Sequence, residues 1–411
     1  MNSIWQFLII LVLLILGVKN RKVSLEVAIL SSIFLGVVAG CSWVTIAGNY
    51  QISAGGIPPM EINQTQAEIV SILFFKATIC LFIGSLLSSL NLFDLASQQS
   101  ISKISSTKID SRSSKAIFMI FGVILSIFVL VNFSELLRRD SYLFIAAGSV
   151  GGAVRYLIPL IGIFSAWMAI KSNNRWLHFI NYLICVLIEF SAASRSLGIL
   201  LMIIFMFWAS NTVSKLNFFA RVSSGIYLGG IGVSQALYLR SQKNYGLIPH
   251  LEQLAFNSFS SSAFGNVIGT FLVIIPVTLL GLQIPTPSNY LFTSINPLPG
   301  RWTDWYEIAG NLLLNPWTPT GSIAQLHNLG VVQETITWIV LGYVLGLLGK
   351  FSYKLDKNKL VTLISMALIL SASLQLLQYS VRAGLRFVYA DILFLFLVNL
   401  YYRKRNLPDY V

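Results

Sequence analysis

Charge is what this sequence has least of. Only 10% of its residues are Asp, Glu, Lys or Arg, while 55% are hydrophobic. An ordinary soluble domain carries about 25% charged residues, so a water-soluble globular fold is excluded. Cysteine is scarce as well. Cys41, Cys80 and Cys185 all lie within apolar runs, which suits small core residues and not a disulfide framework or a zinc site. Only three histidines are present. The sequence has no carboxylate–histidine spacing suited to a metal, no Asp-x-Asp pair to hold a metal–nucleotide sugar, and no glycine loop that would cradle phosphate. No cofactor and no nucleotide donor is therefore expected. The leader MNSIWQ also lacks a positive side chain, and Lys19, Arg21 and Lys22 follow the first apolar run. That order predicts an anchor with its N-terminus outside, not a cleavable signal peptide.

What the chain has is apolar runs. The net charge of +13 sits mostly in short connectors between them, as the positive-inside bias produces, so nucleic acid is not the expected partner. A span needs about 20 apolar residues, with shorter ones tolerated. Eleven runs meet this: 4–18, 23–46, 67–92, 116–133, 154–170, 176–190, 196–209, 222–239, 331–348, 360–379 and 385–402. The serine-rich stretch 94–115 between the third and fourth reads as a solvated cytoplasmic connector. The expected fold is an all-α polytopic membrane protein, one integral membrane domain over residues 1–411.

One stretch breaks the alternation. From Arg240 to Gly330 no convincing pair of spans occurs, and eight prolines alternate with Trp302, Trp305, Trp317, Tyr290 and Tyr306. Loops beyond roughly 15 residues are uncommon and usually functional or disordered, and this aromatic content argues against disorder. Parity places the loop. If the basic connectors 19–22, 94–115, 171–175, 211–221, 350–359 and 403–405 are inside, an even number of crossings must separate 221 from 350. The apolar segment Val267–Leu282 would make that number odd, so it is expected to dip in and return or to lie at the interface. Pro276 in its middle fits a bent segment. The loop is then outside, with the N-terminus out and the C-terminus in.

In that topology four arginines stand on the outer side, where positive charge has no topogenic use: Arg155, Arg195, Arg382 and Arg386. Arginine's planar fork suits phosphate, and together they predict an anion site at the depth of a lipid-borne pyrophosphate. Ionisable residues within spans are usually paired or functional. Lys76 is expected to pair with Asp391 or Glu189, and Glu26 to reach only the inner interface. The loop's own polar candidates are Asp304, Glu307, His327, His250, Glu252 and Arg301. A lone loop histidine is expected to be solvated. His327 stands out because it immediately precedes Asn328-Leu329-Gly330 and the next span.

Four segments carry a resemblance. They are PTGSIAQLHNLG (Pro319–Gly330) leading into a span, SRSLGIL (Ser194–Leu200), FLVIIP (Phe271–Pro276) and QYSVRAGL (Gln378–Leu385). In their order and placement the chain resembles the Wzy family, the O-antigen or oligosaccharide repeat-unit polymerases of bacterial inner membranes. Where the family pattern has Glu before the leucine of the pre-span motif, this chain has Gln325. The resemblance implies a metal-independent glycosyltransferase of the membrane-embedded GT-C kind. It would join glycan blocks carried on undecaprenyl pyrophosphate, as donor and acceptor, at the periplasmic face. The residues themselves supply a compatible site: Arg195, Arg382 and Arg386, with Arg155, are placed on the pyrophosphate, and His327, Asp304 and Glu307 are acceptor-side or base candidates; a chain-length regulator is a candidate partner. An O-antigen ligase, or a flippase for the same lipid-linked oligosaccharide, is the alternative.

Overall fold

The computed structural model describes residues 2–19, 23–48, 50–54, 57–90, 111–141, 144, 146–172, 174–194, 196–210, 215–240, 244–256, 273–298, 300–315, 318–355 and 360–405. Every one of the eleven apolar runs is a helix. They are α1 (Asn2–Lys19), α2 (Leu25–Ala47), α3 (Gln64–Ser89), α4 (Ser111–Val131), α6 (Gly148–Lys171), α7 (Arg175–Ser191), α8 (Ser196–Ser210), α9 (Lys215–Arg240), α15 (Val331–Leu355), α16 (Leu360–Gln378) and α17 (Val381–Arg405). A short α5 (Phe133–Leu137) follows α4. Five of the long helices, α2, α3, α4, α15 and α17, are long and apolar enough to cross a bilayer. The protein is thus an all-α membrane protein.

The sequence offered no boundary, but the chain divides into two compact units. The first comprises residues 1–100, 268–357 and 365–411; the second comprises 101–267 and 358–364. The long loop is shared out between them, its first part in the second unit and its remainder in the first.

In the first unit α3 and α15 form the central pair. Lys76 meets Glu334 across it, and about two and three turns further along Gly84 lies on Gly342 and Ser88 on Gly346. The register is constant, so the two helices run parallel. Glycine is required here by close approach: a Cβ on Gly84 would overlap the Ile339 carbonyl, and one on Gly342 the Leu81 backbone. Between membrane helices such small residues let backbones pack directly. The opposite face of α15 presents Val332, Ile336 and Val340, all exposed, a stripe suited to lipid. Helix α2 runs against both partners, since Ser24 at its start bonds to Ser85 and to the Leu345 carbonyl. Glu26, expected at the inner interface, is 1% exposed and accepts a hydrogen bond from Ser352 at 3.3 Å.

Residues 273–330 of this unit are a chain of short elements: α11 (Ile274–Gly281), α12 (Tyr290–Ile295), α13 (Trp305–Asn311) and α14 (Ser322–Asn328), with a two-strand hairpin, Leu313–Asn315 and Thr318–Pro319, before α14. Helix α11 is the described part of the segment expected to bend. At 1.5 Å per residue it is about 12 Å long, well short of a bilayer's roughly 30 Å core. Its side chains from Ile274 to Leu279 are all buried. Pro276 falls in its first turn, where a missing N–H leaves no bond unmade. Residues 257–272, including most of FLVIIP, lie outside the described residues.

In the second unit α7 packs against α4, α5, α6, α8 and α10 (Leu247–Phe256). Exposed Ile120, Val123, Ile127 and Leu130 recur along α4 at helical spacing, again a lipid-facing stripe. Gly198 of α8 lies directly on the Gly229 carbonyl of α9.

Candidate functional site

The pre-span motif builds the site in the first unit. After α14 the chain must stop one helix and start another within two residues. Gly330 does this with φ 113°, a conformation that side-chain-bearing residues rarely adopt. His327 therefore sits in the last turn of α14 and Glu334 in the first turn of α15. An acid there also suits the positive end of the helix dipole. The two side chains meet, with His327 Nδ1 3.2 Å from Glu334 Oε2. The same oxygen accepts from Lys76 Nζ at 2.7 Å. Glu334 is fully buried, whereas the His327 side chain is 37% exposed and Lys76 29%. Glu334 Oε1 is buried with no hydrogen-bond partner among the described residues. Lys76 thus pairs with Glu334, and not with Asp391 or Glu189 as the sequence suggested. Asp391 instead accepts from Ser365 at 2.7 Å.

The rest of the motif is scaffolding. Gln325, 1% exposed, donates to Thr320 Oγ1 at 3.0 Å and to the Tyr379 carbonyl at 3.1 Å, and accepts from the Tyr290 hydroxyl. Both ends of its amide are used. Burial pushes the Tyr290 phenol up from its usual range, so it stays a donor while accepting from Val381 N at 3.2 Å. Asn328 Nδ2 donates to the carbonyls of Gly281 and Ile284 at 3.0 and 2.7 Å, tying α14 to the end of α11. Gln325 is a structural amide; the carboxylate beside His327 is Glu334.

Of the arginines, Arg382 is 2% exposed. Its guanidinium donates to the carbonyls of Thr293 and Leu298 and lies 5.1 Å from the centre of the Trp305 ring. Tyr389 donates to the Ile295 carbonyl from the same helix. Helix α12 ends at Ile295 with the usual orphan carbonyls, and α17 supplies their donors. Arg386, one turn on, is exposed. The two arginines share a helix but differ in exposure, Arg382 being enclosed by its contacts with Thr293, Leu298 and Trp305. Asp304 and Glu307 stand exposed at the start of α13, and no hydrogen bond joins either to His327 among the described residues.

The second unit holds its own cation cluster. Arg155 forks onto Glu189, with Nη2 to Oε2 at 3.1 Å. Its guanidinium lies 5.7 Å from the Phe144 ring centre, and that of Arg139 lies 5.5 Å from the same ring. Arg139 is 4% exposed and is also bridged through its backbone to Tyr245. His250, expected to be solvated, is fully buried and bonds to the Phe190 carbonyl at 3.0 Å. Burial, aided by the nearby Arg139 charge, pushes the His250 imidazole down to about 4 against the pull of that carbonyl. Arg195 lies outside the described residues.

Sequence reading missed Glu334 and Arg139. Glu334 had a signal, an acid seven residues after His327 at the head of a span, but an acid there is also an ordinary helix-start residue. Arg139 sits beside Arg138 and Asp140 in what reads as a connector. Among the described residues no group of three or more His, Cys, Asp or Glu could hold a metal ion. Comparison with protein-family models, with characterised proteins and with solved structures gives no match.

Proposed function

We infer that the chain is a polymerase of lipid-linked oligosaccharide repeats, a metal-independent glycosyltransferase of the bacterial inner membrane. The observation that carries this reading is the setting of His327. It lies in the motif on which the resemblance to Wzy polymerases rests, and it is hydrogen-bonded to a buried carboxylate while remaining half open. Such a pair suits a general base for a sugar hydroxyl. In the reaction, the acceptor hydroxyl of one repeat gives its proton to His327 Nε2 as its oxygen bonds to the anomeric carbon of the other. The bond from that carbon to oxygen breaks, and undecaprenyl pyrophosphate leaves with the electron pair. An outer-face cation of the same unit, Arg386, would stabilise the charge on the leaving group. Exposed Trp302 and Tyr306 in the loop offer flat faces for sugars.

Eleven spans with the N-terminus outside belong to the same proposal. The parallel register of α3 and α15 supports it, because two spans that enter from the same side need an odd number of crossings between them. Helices α4, α6, α7, α8 and α9 supply five, which leaves the short α11 as a segment that does not cross.

Reconstitution tests the function. The purified protein in liposomes, given only pyrophosphate-linked single repeats, should produce a ladder of lipid-linked chains without nucleotide sugar or added metal. Transfer of preformed chains onto lipid A-core, with no ladder, would make it a ligase instead.

A further inference from the structure

The geometry points to Glu334 and Lys76 as positioning residues that set the tautomer of His327, so that Nε2 is the nitrogen left open to take a proton. The inference rests on the polymerase reading for its chemistry but not for its geometry. Three observations carry it.

The first is shared use of one oxygen. Glu334 Oε2 lies 2.7 Å from Lys76 Nζ and 3.2 Å from His327 Nδ1. An ammonium has only donors, and a carboxylate paired with it only accepts. Nδ1 must therefore carry the hydrogen in that contact, and in a neutral imidazole Nε2 then holds the lone pair. The second is the state of the other oxygen. Glu334 Oε1 is buried and has no partner among the described residues, so nothing there would accept a proton from it. Glu334 acts as an acceptor throughout. The third is the difference in exposure within the trio. Glu334 is fully enclosed, while the imidazole is 37% exposed. The orienting charge is shielded from water, where its hold on Nδ1 is strongest, and the base it orients is reachable.

Free imidazole favours hydrogen on Nε2, which would block that nitrogen as a base. Lys76 and Glu334 hold the ring in the other form before substrate arrives. When Nε2 takes the hydroxyl proton, the positive charge that forms on the ring faces Glu334, and no proton moves onto the carboxylate.

The chain has three histidines, and His178 and His250 are fully buried. Nitrogen-15 NMR of the full chain in bilayers, with labelled histidine, therefore gives three imidazoles, and His327→Gln assigns the one of interest. The wild type is expected to show His327 as the Nδ1–H form with a hydrogen-bonded Nδ1. Glu334→Ala and Lys76→Met should both shift the ring toward Nε2–H, and Lys76→Arg should not. Because a lone buried charge can unfold a protein, the paired change Lys76→Met with Glu334→Leu is the second variant. Replacing a buried pair by apolar residues is often tolerated, and this variant too should move the ring to Nε2–H. A wild-type Nε2–H form, or a tautomer indifferent to all these changes, overturns the inference.

Kinetics supply the functional half. Glu334→Ala should lower kcat on lipid-linked repeats by about a hundredfold or more, with KM little changed and with Lys76→Arg close to wild type. The two readings fail separately. A wild type that does not elongate lipid-linked repeats sinks the polymerase, whatever the tautomer. An elongating wild type whose Glu334→Ala variant turns over normally overturns this inference alone.

Discussion

Lys76 and Glu334 are 258 positions apart in the chain and 2.7 Å apart in the fold. The same separation in sequence recurs where Gly84 meets Gly342 and where Ser88 meets Gly346. A polar contact between the middle of α3 and the first turn of α15, and the glycine seam beyond it, are thus one register. The seam fixes how close the helices come, and closeness is what lets a lysine of one reach a carboxylate of the other. Packing and candidate chemistry are coupled through this pair.

The coupling predicts a remote effect. Gly342→Val would drive a side chain into the Leu81 backbone, which cannot rotate aside. Overpacking typically costs about 1–3 kcal/mol, and more is expected against backbone. The variant should melt well below wild type in detergent, and the His327 imidazole signal should broaden or shift although Gly342 is two turns from Glu334. Gly36→Ala, whose added carbon would meet nothing within 4 Å, is the control and should melt like wild type.

How much of this was legible beforehand follows from what each feature depends on. The eleven helices depend on composition over about twenty residues, and apolar runs bounded by lysine and arginine declare themselves. The motif around His327 was legible for the same reason, as a polar stretch leading into a run. The partner of Lys76 was not, because it depends on which distant helix lies alongside. Glu334 is a single acid in a first turn, where acids are common in any case. Arg382 read as a free outer-face cation because sequence places it at the right depth but does not show that loop residues 293–305 fold over it. His250 looked solvated for the converse reason: a loop position says nothing of the Phe190 carbonyl that meets it.

Arg382 and Arg386 should separate by phenotype. Arg382→Ala removes donors from the Thr293 and Leu298 carbonyls and the cation over Trp305, so residues 293–305 should become sensitive to protease. Lysine should rescue poorly, since one point charge cannot serve two carbonyls in a fork. Arg386→Ala should leave protease resistance intact and lower chain elongation if it serves the pyrophosphate. Equal protease sensitivity in both variants would count against the division of roles drawn here.

Gln325→Glu tests whether the motif's amide is structural. A carboxylate in its place would face the Tyr379 carbonyl and offer it no hydrogen. Leaving a buried group unsatisfied costs about 1–3 kcal/mol, so the variant should lose stability, not gain activity. Faster elongation with an unchanged melting point would point to a carboxylate base at this position instead.

His250 gives a pH dependence with a defined sign. Its imidazole is held down to about 4 by burial and the Arg139 charge, against about 6.5 in an unfolded chain. Between those values the unfolded chain binds a proton that the folded one does not, so stability falls as pH drops from about 6.5 toward 4. The total is roughly 3 kcal/mol. His250→Gln, melted across the same range, should lose less than wild type on acidification, and parallel pH curves for the two would remove His250 as the source.

Topology can be read from outside the cell, and the chain is well suited to it. Its three cysteines are all buried, so an impermeant maleimide should give little background. Two positions carry the decision. Gly310 lies near the end of α13, exposed, with nothing within 4 Å of an added Cβ. Lys354 lies exposed at the far end of α15. In the first unit α13 belongs to the loop held over the start of α17 through Arg382 and Trp305, and α15 begins beside His327. If α15 crosses the bilayer, the two positions face opposite sides. Gly310→Cys should be labelled on intact spheroplasts, and Lys354→Cys only after permeabilisation. The sign of the result places the candidate base. Label at 310 from outside puts His327 and the loop on the outer face, where the proposed polymerase reaction requires them. Label at 354 from outside would invert the protein, put the basic connector 350–359 on the wrong side of the membrane, and leave the polymerase reading without access to its substrate.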